Sequence, residues 1–65
     1  MFTLYSRVKL LTDSYAGQGA VQGMLGYIIE SYEGEFYEVE FSDPTTGITK
    51  AQIVAHANEL VLAPE

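Results

Sequence analysis

Sixty-five residues carrying nine acidic and three basic side chains, a net charge of −6 and no cysteine set narrow bounds. A chain this short forms one small domain that buries only about 60% of the surface its unfolded form exposes, so a deep enzyme pocket would remove core that the fold needs. The composition leaves no disulfide or thiolate metal site, no apolar run near the ~20 residues of a membrane span, and too few bases in Arg7, Lys9 and Lys50 to neutralise a phosphate backbone.

The first residues, Met-Phe-Thr-Leu-Tyr-Ser-Arg, lack the basic start and apolar run of a signal peptide, and a cytoplasmic location is expected. Val8 and Leu10 alternate with Arg7 and Lys9, which predicts a half-buried strand over Ser6 to Leu11. Thr12 to Gln22 is rich in Gly and small polar residues and reads as a loop, with Tyr15 and Val21 folding back onto the core. A loop of this length in so small a domain is either a plain connection or a functional segment.

Met24 to Tyr32 is predicted as the second strand. Gly23 and Gly26 at its start point to a bulge, a bend or the close approach of another backbone. A tight turn follows around Glu33, Gly34 and Glu35, with Gly34 supplying a positive φ. The hairpin register is open between an odd loop and a two-residue loop. The odd count is favoured because it places Tyr27 and Ile29 on the face of Tyr37, Val39 and Phe41, and Glu30 with Glu38 and Glu40. Phe36 to Ser42 is the third strand, with Tyr37, Val39 and Phe41 pointing one way and Glu38 and Glu40 the other. Asp43-Pro44-Thr45-Thr46-Gly47 is a turn: Asp caps, Pro presets φ and Gly ends it.

The C-terminal stretch carries two patterns. Ile53, Val54, Ala57, Leu60 and Val61 recur at helical spacing, so an amphipathic helix over Lys50 to Leu62 is one reading. The preferred reading is a fourth strand from Ile48 to Val54, a single turn through Ala55 to Glu59, and a short strand from Leu60 to Leu62.

Gly23-Met-Leu-Gly26-Tyr-Ile-Ile-Glu followed by Tyr37-Glu-Val-Glu-Phe41 resembles the small SH3-like barrels of the KOW type. With Val8-Lys9-Leu10 before it, and Asp43 and Asn58-Glu59-Leu60 after it, the chain resembles a bacterial family called domain of unknown function 4926. These motifs span nearly the whole chain, and they are glycines and core positions rather than chemistry. The resemblance implies an all-β, five-stranded SH3-like barrel over residues 1–65, with a short 3-10 turn before the last strand. Three strands plus a C-terminal helix is the alternative. Similar barrels serve as docking surfaces in a photosystem I accessory subunit, in ferredoxin–thioredoxin reductase and in nitrile hydratase β-chains, an analogy of fold alone. The groove-lining bases of RNA-binding relatives are missing here, and so is the Ala-Leu-Tyr-Asp-Tyr stretch of eukaryotic SH3 domains.

The candidate site is acidic. Glu30, Glu33, Glu35, Glu38, Glu40 and Asp43, together with Tyr32, form the expected partner-binding set. Paired strands would bring several of them onto one face, where they could attract a basic protein partner. The plainer reading is a solvated face whose charge blocks edge-to-edge aggregation. General acid/base chemistry needs a cleft and separated pKa values, which an open strand face does not offer, and EF-hand spacing is absent. His56 has no nucleophile beside it and is expected at the surface or in a cap. Of the five tyrosines, Tyr27 and Tyr37 are expected in the core, and Tyr5, Tyr15 and Tyr32 partly exposed.

The sequence therefore leads to a non-catalytic interaction module with no cofactor and no metal, binding a basic protein and possessing an immunity- or antitoxin-type role as its sharpest form. The alternative is an accessory subunit or homo-oligomeric barrel that stabilises a larger enzyme. Nucleic acid and membrane are not expected partners.

Overall fold

Alternation of large apolar and acidic residues makes Phe36–Ser42 a two-faced strand, because one face can be buried while the other stays wet. The computed structural model describes residues 2–64. Its strands are β1 (Arg7–Leu10), β2 (Leu25–Tyr32), β3 (Phe36–Ser42), β4 (Thr49–His56) and β5 (Leu60–Leu62). They form one antiparallel sheet in the order β4-β3-β2-β1-β5. This is an SH3-like, all-β arrangement whose sheet is not closed: β4 and β5 are its two edges. A 3-10 turn at Ala57–Glu59 leads straight from β4 into β5. The C-terminal helix is thereby excluded. Buried Ala51, Ile53 and Ala55 follow period 2, and the strand's last residues pair with β3 as far as Phe36↔His56.

The core consists of Val8, Leu10, Ile28, Val39 and Phe41, all fully buried, with Ala20, Tyr37, Ala51, Ile53, Ala55 and Leu60 around them. Each such aliphatic or aromatic side chain contributes roughly 1.5–3 kcal/mol by leaving water. Phe2 closes one end. Its ring meets Tyr37 edge-on at 5.3 Å, and its backbone N–H donates to the Tyr37 hydroxyl at 3.2 Å.

Two core expectations are corrected. The hairpin loop does have an odd count, with Tyr32↔Phe36 and Glu30↔Glu38 as partners, but the register shifts between Ile28 and Glu30. Past this bulge Ile28, not Ile29, faces Val39, and Tyr27 pairs with Glu40. An extra residue in one strand inverts every side chain beyond it. Tyr27 is therefore 44% exposed, and Ile29 is only half-buried. In the β1–β2 loop Tyr15 packs on the core as expected, but Val21 is exposed and Ala20 takes the buried place. The loop holds a 3-10 turn at Ala16–Gln18, ended by Gly19 in the left-handed region.

Gly26 marks a close approach rather than the bulge. A Cβ there would lie 2.6 Å from the Glu40 carbonyl oxygen and 2.7 Å from the Phe41 ring. The turn before β3 uses Gly34 at φ 79, as expected, and also Glu35 at φ 63. The turn after β3 matches its sequence: Asp43 Oδ1 accepts from the Thr45 and Thr46 amides at 2.7 and 3.1 Å, and Gly47 sits at φ 77.

Candidate functional site

The residues of β2, β3 and β4 that point away from the core form cross-strand rows. One row is Tyr32–Phe36–His56, the next Glu30–Glu38–Val54, and the third Arg7–Tyr27–Glu40–Gln52. The structure thus gathers Glu30, Tyr32, Glu38 and Glu40 on one face. Glu33 and Glu35 lie at its hairpin tip. Asp43 does not join them. It sits in the turn at the opposite end of β3, roughly 25 Å from Glu35 along an extended strand, and its carboxylate is occupied with the turn amides.

Glu30 and Glu38 are direct partners, an arrangement that like charges disfavour. Neighbouring donors hold Glu38 as a carboxylate. The Tyr32 hydroxyl donates to Oε1 and the Gln52 amide to Oε2. Chiefly the Tyr32 bond, and then that of Gln52, lowers the Glu38 pKa, while the same bond raises that of Tyr32. Glu40 accepts from the Thr49 hydroxyl at 3.0 Å, and Glu30 from the Ser31 amide at 3.1 Å. Apolar surface lies between the acids: Tyr32, Phe36 and Val54 are 42–47% exposed. The sequence reading missed Phe36 and Val54. Alternation could have found Phe36, which is in phase with Glu38 and Glu40. Val54 was hidden because its phase depended on settling strand against helix.

His56 caps the 3-10 turn. Its Nδ1 accepts from the Asn58 amide at 3.2 Å, while its own backbone N–H donates to Glu59 Oε1 at 2.9 Å. Its ring meets Phe36 edge-on at 5.1 Å. This is a capping box, which satisfies amides that a short helical turn leaves free. Among the described residues no group of three or more His, Asp or Glu side chains is arranged to hold a metal ion, and no helix is long and apolar enough to cross a membrane.

A family model described as Domain of unknown function (DUF4926) matches residues 4–61. No curated protein and no solved structure matches the chain.

Proposed function

The chain belongs to this family of domains of unknown function, and from the face that it presents we propose that it is a non-catalytic protein-interaction module that binds a basic protein partner. The observation that carries this reading is the Glu30–Glu38 pair, set between the exposed apolar groups Tyr32, Phe36 and Val54. A partner's Lys or Arg would lay its aliphatic stem on Phe36 or Val54 and bring its charge to the carboxylates, relieving their mutual repulsion. Aromatic residues among charges also suit a protein interface. In its sharpest form the face masks a cationic groove of a partner, an immunity- or antitoxin-type role. Cytoplasmic location belongs to the same proposal, as does the absence of catalysis.

The test is affinity capture from the host at low and then high salt, with the retained protein identified and its affinity measured against Glu38→Lys with Glu40→Lys. Capture of one basic protein, weakened by salt and lost on double reversal, is the expected result. Unchanged affinity in the double variant overturns the electrostatic reading.

A second reading, an accessory subunit or homo-oligomer, is favoured by the exposed apolar side chains themselves, among them Tyr27, Phe36, Val54 and Leu62. It predicts a salt-resistant complex that Phe36→Ser and Val54→Ser weaken and charge reversal does not.

A further inference from the structure

Two of the chain's three cationic side chains line one groove. Arg7 comes from β1 and Lys50 from β4, and between them Met24, Leu25, Tyr27 and Pro44 supply most of the wall. The groove encloses about 510 Å³, within the range of small-ligand clefts. Among the described residues no acidic side chain lines it. On a chain of net charge −6 this is an isolated cationic and apolar concavity, well separated from the hairpin tip.

We propose that this groove binds an organic carboxylate with an apolar or aromatic body. A guanidinium and an ammonium group suit an oxyanion, the first by its fork geometry and the second as a point charge. Arg7 donates one Nη1–H to the Pro64 carbonyl at 2.6 Å, which tethers the side chain; among the described residues its other donors have no hydrogen-bond partner. Met24, Leu25, Tyr27 and Pro44 would cover the apolar body, and Leu25 and Tyr27 present exposed side chains for it.

The surroundings restrict the ligand to one negative charge. Glu40 is the cross-strand partner of Tyr27, with Oε2 accepting from Thr49. Asp43 lies close enough to Lys50 for that charge to contribute, as the smallest cause, to its lowered pKa. Both carboxylates, with the net charge of the whole chain, repel a polyanion such as RNA. A free small acid and the C-terminus of a peptide ending in an aromatic residue offer the same chemistry.

The proposal goes beyond the acidic-face reading and does not depend on it. Its test is amide NMR of the intact protein titrated to millimolar concentration with 3-phenylpropionate, with 3-phenylpropionamide, and with the peptide Gly-Gly-Phe bearing a free or an amidated C-terminus. The expected result is shifts confined to Arg7, Gly23–Tyr27 and Ser42–Lys50 with the acids and not with the amides. Stronger binding of the peptide acid assigns the source to a chain terminus, and stronger binding of phenylpropionate to a small molecule. Lys50→Gln and Arg7→Gln should each weaken binding about fivefold, the equivalent of one surface charge contact, and Glu40→Gln should tighten it. Amides that bind as well as acids, shifts elsewhere, no shifts at all, or an unaltered affinity in folded Lys50→Gln would each overturn the proposal.

Discussion

The Tyr15 hydroxyl donates to Glu59 Oε1 at 2.7 Å, and the same oxygen accepts the His56 backbone N–H at 2.9 Å. One carboxylate thereby ties the long β1–β2 loop to the 3-10 turn between β4 and β5. Desolvation first, then the hydrogen bond to Glu59, and last its charge push the Tyr15 pKa up to about 12. Because the folded value lies above the ordinary value of 10.0, the contribution to stability is complete below pH 10 and is lost as pH rises through 12. Solvent screening limits it to about 1 kcal/mol. Tyr15→Phe should therefore lose about 1 kcal/mol at neutral pH and flatten the decline in stability between pH 10 and 12. Denaturant titrations across that range check both effects, and a variant with an unchanged alkaline decline would show that another group causes it.

Gly26 allows β2 to pass close to the Glu40 carbonyl and the buried Phe41 ring of β3. With a Cβ 2.6 Å from the Glu40 carbonyl and 2.7–2.9 Å from the Phe41 ring, backbone and a fully buried ring must both move. Gly26→Ala should cost about 3 kcal/mol, the upper part of the range for overpacking. Gly17→Ala, with nothing within 4 Å, is the control and should stay close to wild type. Urea unfolding of the two variants makes the comparison, and equal midpoints would contradict the close approach.

What could be read from the sequence follows from how locally each feature is determined. Tyr37, Val39 and Phe41 were legible because their alternation is unbroken, and the Asp43 turn because its Asp, Pro and Gly act on neighbouring amides. Tyr27 was misplaced because a bulge depends on how β2 bends against β3, which no residue type announces. The acidic site was half legible. Glu30 and Glu38 are opposite each other as the odd loop requires, whereas Asp43 was grouped with them only by nearness along the chain. The groove was not legible at all, since Arg7 and Lys50 meet only through the strand order β4-β3-β2-β1.

Asp43, like Glu38, contributes to the acid side of the stability profile. Its two amide donors, from Thr45 and then Thr46, lower its pKa below the ordinary 3.8. A depressed folded value contributes stability that is present above pH 3.8 and lost as pH falls through the folded pKa. Asp43→Asn should lower the midpoint of thermal unfolding at neutral pH and show a shallower loss below pH 4. Thermal melts of both proteins from pH 2 to 7 check this, and parallel acid limbs would remove Asp43 as the cause.

Glu35 holds a conformation that its residue type resists. At φ 63 it follows Gly34 at φ 79, and its carbonyl accepts the Ala57 amide at 2.9 Å, joining the hairpin tip to the 3-10 turn. The left-handed region costs an ordinary L-residue roughly 1–2 kcal/mol, and Asn less. Glu35→Asn should therefore raise stability by about 0.5 kcal/mol, or about 2–4 °C in a domain of this size. Removing a charge from an acidic tip could produce a similar gain, so Glu35→Gln separates the causes: it removes the charge and keeps the strain. A gain with Asn and none with Gln, measured by thermal unfolding at low and high salt, assigns the cost to the backbone. Equal gains that vanish in salt would assign it to repulsion among Glu33, Glu35 and their neighbours.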